Sequence, residues 1–181
     1  MDKHAPDSPP SGPQAPSDPA QAEAGTLAVA LEREHREIDG GIESYLAAAP
    51  DDPRSIDPLK GAMDALRRHI FLEEEFLFPP LRTAGLVAPI FVMMREHGEI
   101  WDTLELLDRQ LAQSGHAEAT RKTCRTLLDQ LERHNFKEEP IIYPQADATL
   151  TPAQSESLHA FLASGFIAPG WICAGAGSHP R

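Results

Sequence analysis

The chain has 181 residues, 28 acidic against 16 basic side chains, a formal net charge of −12 and two cysteines. That length fits one domain with a proper core plus tails, and the acidity, with Lys and Arg scattered, argues against a nucleic-acid partner, which is held through clustered cations. Cys124 and Cys173 lie far apart with no Cys-x-x-Cys pair, which argues against a disulfide framework or a thiolate metal cage; the chain shows neither a signal-peptide core nor the roughly 18–20 apolar residues of a membrane helix, so it is expected to be soluble and cytoplasmic.

Residues 1–24 are dominated by Pro, Ser, Ala, Gly and Asp, too little apolar surface to offset the entropy of ordering, and are expected to form a disordered arm. From Thr26, a suitable N-cap, Leu27, Leu31, Ile38, Ile42 and Tyr45 recur at helical spacing with His35 in the gap. Gly40-Gly41 within this first helix marks a bend or a close contact with a neighbour. A second helix is expected from about Asp57 to Phe78, with Ala62, Leu66, His69, Glu73 and Phe76 on one face and Pro79-Pro80 as its stop.

A third helix starts near Pro89, where Ile90, Met93, His97, Ile100, Leu104, Leu107 and Leu111 alternate in steps of three and four. The fourth runs from about Ala117 and carries Leu127, Leu131, His134, Glu138 and Ile141 on one stripe, with Pro140 interrupting its hydrogen bonding. Short links make successive helices antiparallel, so the expected fold is all-α, an up-down-up-down four-helix bundle over residues 25–146. Residues 147–181 form a C-terminal extension: a short helix after Thr151-Pro152, then a Gly-rich tail that is a candidate cap for the bundle.

The chain repeats itself. Arg68-His69-Ile70-Phe71-Leu72-Glu73-Glu74 through Phe78-Pro79 returns as Arg133-His134-Asn135-Phe136-Lys137-Glu138-Glu139 through Tyr143-Pro144, and Arg33-Glu34-His35-Arg36-Glu37-Ile38 returns as Arg95-Glu96-His97-Gly98-Glu99-Ile100. The repeating unit is therefore a helix pair. In each half a His and a Glu four residues apart share one helix face, where an imidazole nitrogen and a carboxylate oxygen can converge on one ion. Burying an imidazole or a carboxylate in an apolar stripe costs several kcal/mol unless it is paired. Six such groups, His35, His69, Glu73, His97, His134 and Glu138, share one explanation in a bound metal cluster. Nitrogen and oxygen donors without sulfur suit iron, manganese or zinc, carboxylates on facing helices can bridge two ions, and zinc alone normally takes four ligands.

This combination resembles the hemerythrin-like, or HHE cation-binding, domains over about residues 26–145. The resemblance implies a non-haem di-iron centre, with His35 and His69 on one metal, His97 and His134 on the other, and Glu73 and Glu138 bridging. Oxygen-carrying members have a fifth His one turn after the third, where this chain has Trp101. Both metals would then keep open positions, with Trp101 as a ligand-pocket residue, which favours exchange and redox turnover over reversible oxygen carriage. The first-half counterpart of Trp101 is Asp39, a candidate additional ligand, a partner that orients a His, or a solvated acid. Glu74 and Glu139 lie round the helix from the bridging pair and are assigned to supporting or surface positions; Phe78 and Tyr143 are expected to close the bundle rather than touch metal. Glu32-x-x-His35 and Glu156-x-x-His159 imitate a ferritin-like pattern that neither half keeps. Cys124 reads as a small buried residue and Cys173 as part of a loose tail.

The leading functional expectation is a protein that binds or senses dioxygen, nitric oxide or a related oxidant at two iron ions, with roles in iron or stress handling. The alternatives are a di-iron oxidase or peroxidase-like enzyme, and an interaction module whose metal is structural.

Overall fold

The computed structural model describes residues 26–49, 52, 56–113 and 117–177; the arm expected to be disordered lies outside them. Helix α1 spans Leu27–Ala47 and begins where expected, with the Thr26 hydroxyl accepting from the Val29 amide at 3.3 Å. Helix α2 (Ile56–Leu72) runs into a π-helical turn, Glu73–Leu77, and then α3 (Phe78–Thr83). Next come α4 (Val87–Leu111), α5 (Ala117–Ile141), α6 (Tyr143–Thr149) and α7 (Pro152–Ser164).

The long helices form the bundle: α1 packs on α2 and α5, and α4 packs on α5 and α2. Gly41 permits the first of these contacts, since a Cβ there would sit 2.7 Å from the Ala62 Cβ. No strand occurs among the described residues, and none of their helices is long and apolar enough to cross a membrane.

Pro79-Pro80 does not end the helix as expected. The π-helical turn closes with a hydrogen bond donated by the Phe78 amide to the Glu73 carbonyl, and both prolines then fall in the first turn of α3, where no amide donor is needed. Helical chain therefore continues to Thr83 and carries Phe78 and Leu81 into the core.

The apolar interior is split in two. One cluster takes Ile38 and Ile42 from α1, Leu66 and Ile70 from α2, Ile100 and Leu104 from α4, and Leu127 and Leu131 from α5. The other takes Leu27 and Leu31 from α1, Leu72 from α2, Ile90 and Met93 from α4, and Tyr143 from α6. His35 falls between Leu31 and Ile38, and His97 between Met93 and Ile100, so these polar groups enter the bundle where one cluster gives way to the other. Residues 165–177 follow α7 without regular structure and return across the bundle, burying Cys173 to 3% exposure.

Candidate metal centre

The six residues singled out in the sequence come together. His35, His69, Glu73 and Glu138 offer donor atoms all within 4.8 Å of one another, and so do Glu73, His97, His134 and Glu138. All six are buried, with Glu73 and Glu138 fully so. Helical spacing explains the convergence: His69 and Glu73 are one turn apart on the chain of α2 and its π-helical turn, His134 and Glu138 one turn apart on α5, and His35 and His97 project from α1 and α4, each of which packs on both.

Every imidazole is oriented the same way. Nε2 faces inward and Nδ1 rests on a carboxylate: His69 on Glu34 at 2.8 Å, His134 on Glu96 at 3.3 Å, His35 on Glu139 at 3.0 Å and His97 on Glu74 at 3.0 Å. A carboxylate on Nδ1 fixes the tautomer that leaves the Nε2 lone pair for a metal. Glu34 is itself paired with Arg68, and Glu96 with Lys137 at 2.9 Å. The repeat is therefore preserved in the supporting contacts, Glu34 matching Glu96 and Glu74 matching Glu139.

The supporting positions expected for Glu74 and Glu139 agree with this geometry. Glu34 and Glu96 were not among the residues singled out, although they stand beside the seam histidine in both copies of Arg-Glu-His. That position is one hundred degrees round from the histidine, and only the packing of α1 on α2, and of α4 on α5, turns it towards the neighbouring helix's imidazole.

Inside, the donor atoms crowd one another. His35 Nε2 lies 3.0 Å from His69 Nε2, and with Nδ1 of each on a carboxylate, two neutral imidazoles would oppose their lone pairs here. Glu73 bridges the two halves, with Oε1 3.2 Å from His69 Nε2 and Oε2 3.2 Å from His97 Nε2. Glu138 does the same with a single oxygen, 3.0 Å from His134 Nε2 and 3.7 Å from His35 Nε2. Proximity does not satisfy them all: Glu73 Oε2, His97 Nε2 and Glu138 Oε1 are buried without a directed hydrogen bond. Unsatisfied buried donors and acceptors are costly, and these converge on common points, which is what one or two cations would satisfy.

In the metal-free protein protons take that role. Burial pushes the His69 imidazole down, but the Glu73 and Glu34 carboxylates outweigh it and hold it well above the ordinary range. The same competition raises His97 through Glu73 and Glu74, and carries His134 up to about 10 through Glu138 and Glu96. Glu73, although buried, is held well below the usual carboxylate range by His69 and His97. His35 is the exception, depressed by burial and by the charge on His69.

Tyr143 departs from the expectation that it only closes the bundle. Its hydroxyl sits at the centre of the site, with its one proton in reach of Glu73 Oε1 at 2.9 Å and Glu138 Oε2 at 3.2 Å, and with His35 Nε2 at 2.9 Å and His69 Nε2 at 3.1 Å. Burial and both carboxylates push its pKa well above the usual phenol value, so it keeps its proton. The sequence carried one signal for this: the repeat matches Tyr143 to Phe78, the same aromatic with a hydroxyl added. Phe78 stacks on His97 with ring centroids 5.4 Å apart, so the two halves of the site are chemically unequal.

On the side of the histidines towards the first apolar cluster is a cavity of about 10 Å³, room for one water-sized molecule, walled by His35, His69, His97, His134, Asp39 and Asn135 among others. Asp39 lies outside the two donor groups. It lines this cavity with an unpartnered buried Oδ1, and burial followed by the charges of Glu43 and Glu139 pushes its pKa up to about 6. Trp101 is not on the cavity wall; it packs edge-on against Trp171 at 5.5 Å with Arg67 over its ring. Cys124 is a buried core residue as expected, whereas Cys173, expected in a loose tail, is buried, and burial and Glu74 push its thiol up to about 12.

Comparison with known proteins gives a consistent picture. The family model described as the hemerythrin HHE cation binding domain matches residues 26–146. A crystal structure of a hemerythrin HHE cation binding domain-containing protein from Mycobacterium kansasii is similar, with a TM-score of 0.59 and 22% identity over 77% of this chain and 84% of that one. At that identity the likeness speaks for the fold. No curated protein matches.

Proposed function

The chain belongs to the hemerythrin HHE cation-binding domain family, and from that premise we propose that it is a non-haem di-iron protein that binds or senses dioxygen, nitric oxide or peroxide. The observation that carries this reading is the pair of overlapping donor groups sharing Glu73 and Glu138. His35 and His69 would hold one ion, His97 and His134 the other, and the two carboxylates would bridge them. Two bound ferrous ions would supply electrons and exchangeable coordination positions for a small ligand. Two histidines per ion and no sulfur suit iron; manganese shares these preferences, and zinc is less suited to so many donors.

The residues around the donors suit a small ligand. The cavity beside the histidines holds about one water-sized molecule and is lined by Ile38, Leu66, Ile70, Ile100 and Leu131, which keep bulk water out. Tyr143 holds a proton at its hydroxyl within reach of both bridging carboxylates. Anaerobic protein loaded with ferrous iron should change its visible spectrum on titration with dioxygen, nitric oxide or peroxide, with an end point near one equivalent per centre. Loaded protein inert to all three would leave only a structural metal.

A second reading, an oxidase or peroxidase-like enzyme, is favoured by the Tyr143 hydroxyl, an oxidisable proton donor inside the site. Consumption of many equivalents of peroxide in the presence of a reductant would select it over stoichiometric binding.

A further inference from the structure

The two halves of the centre are supported alike except at one place. Glu74 and Glu139 correspond in the repeat, and each accepts from the Nδ1 of a histidine, yet the Glu139 side chain is 37% exposed and that of Glu74 only 3%. The difference is the C-terminal chain. Cys173 Sγ lies 3.2 Å from Glu74 Oε1, the oxygen that also holds His97, and the Ala174 amide donates to Glu74 Oε2 at 2.9 Å. Trp171 anchors the same segment, donating from Nε1 to Glu75 Oε1 at 2.8 Å and packing against Phe71 with ring centroids 5.0 Å apart.

The bundle is shaped to receive this segment. Gly98 occupies the position that the first copy of the motif fills with Arg36. A Cβ at Gly98 would sit 2.4 Å from the Gly175 carbonyl oxygen, and one at Gly175 would sit 2.5 Å from the Met94 carbonyl oxygen. Both obstacles are backbone, so neither can swing aside, and the two segments approach this closely only because both residues lack a side chain.

We propose that residues 171–176 are a positioning strap of the metal centre, in which the Cys173 thiol and the Ala174 amide hold Glu74 against His97. Glu34 and Glu96 are steadied by cations within the bundle, Arg68 and Lys137; among the described residues Glu74 has no such cation and takes two neutral donors from outside it. Cys173 serves as a protonated donor rather than a nucleophile, consistent with a thiol pushed up to about 12. Its effect is local to the histidine it reaches, and the opposite half, His35 on Glu139, is independent of the strap. The inference rests on the six buried donors being metal ligands.

The test uses the full chain and three variants: Cys173→Ala, which removes the donor, Cys173→Ser, which restores a stronger one, and Cys124→Ala as a buried cysteine remote from the site. After loading with ferrous iron, release to a chelator is followed. Loss of a direct partner of a metal-bound histidine, here Glu74, costs about 10–100-fold in affinity, and Cys173 acts one contact further out, at the low end of that range. Cys173→Ala should release its first iron about tenfold faster than wild type, with Cys173→Ser and Cys124→Ala near wild type. Nitrogen-15 NMR of the metal-free protein reads the same contact without metal: the His97 Nδ1 resonance should move in Cys173→Ala and return in Cys173→Ser, while that of His35 stays fixed. Unchanged His97 resonance and release rate in Cys173→Ala, or a Cys173→Ser that behaves as Cys173→Ala, would overturn the strap. Failure of the wild type to bind iron would instead count against the metal assignment, leaving the resonance comparison to decide on the strap.

Discussion

His35 and His69 present Nε2 to one another at 3.0 Å, while Nδ1 of each rests on a carboxylate of another helix. Neutral imidazoles so oriented would oppose two lone pairs in a buried space. A proton shared between them relieves the contact in the metal-free protein, and a cation would relieve it further while satisfying Glu73 and Glu138.

The first expected outcome concerns these donors. His69→Ala or His134→Ala should lower bound iron from two per chain to one or fewer, whereas His159→Ala, on α7 outside the donor groups, should leave it at two. Elemental analysis after identical loading checks this; equal metal in all three proteins would sink the ligand assignment.

Tyr143→Phe removes one hydroxyl and keeps the ring. Because that hydroxyl donates its one proton to the buried pair of Glu73 and Glu138, its loss should destabilise the metal-free protein by about 1–3 kcal/mol, the usual cost of leaving a buried polar group unpaired. Urea unfolding of the two metal-free proteins measures the difference, and a variant as stable as wild type would show that the hydroxyl is not needed there.

Protons and metal compete for the same nitrogens, which fixes a pH dependence. Folding raises His69 and His97, and raises His134 from 6.5 to about 10. Stability from a raised imidazole is fully present below the unfolded value and is lost as pH rises through the folded one, so the metal-free protein should melt at progressively lower temperature from about pH 7 towards pH 10. Metal binding needs those protons gone, so its affinity should rise over the same range, and adding ferrous iron to weakly buffered protein should release protons. Uptake without proton release would contradict the assignment of His69, His97 and His134 as ligands.

Asp39 behaves in the opposite sense to an ion-paired acid. Its folded pKa of about 6 exceeds the ordinary 3.8, so the folded state holds the extra proton and stability falls as pH rises from about 4 through 6. Asp39→Asn should remove that component and gain most over wild type above pH 6. Thermal melts of both metal-free proteins across this range would show it, and parallel pH profiles would rule it out.

Much of the bundle is legible in the sequence because its helices are strongly periodic and the site is written twice. His-x-x-x-Glu fixes which side chains share a face, and repetition separates a cluster from a chance pair. What escaped depends on contacts between segments distant in the chain. Glu34 reaches His69 only because α1 packs on α2, Tyr143 reaches the centre only because the chain turns into α6 after Pro140, and Cys173 is buried only because Gly98 and Gly175 let backbone meet backbone. Local spacing carries no record of such meetings. The helix across Pro79-Pro80 was missed for another reason: a π-helical turn shifts the register so that two prolines fall where they do no harm.

The most direct test of the account is the number of irons per chain after anaerobic loading of the 181-residue protein with ferrous iron and removal of the excess, set beside Glu73→Ala treated in the same way. Two shared carboxylates between two histidine pairs predict two irons in the wild type and a clear loss in the variant. One iron or none in the wild type, or two in Glu73→Ala, would contradict a bridged centre.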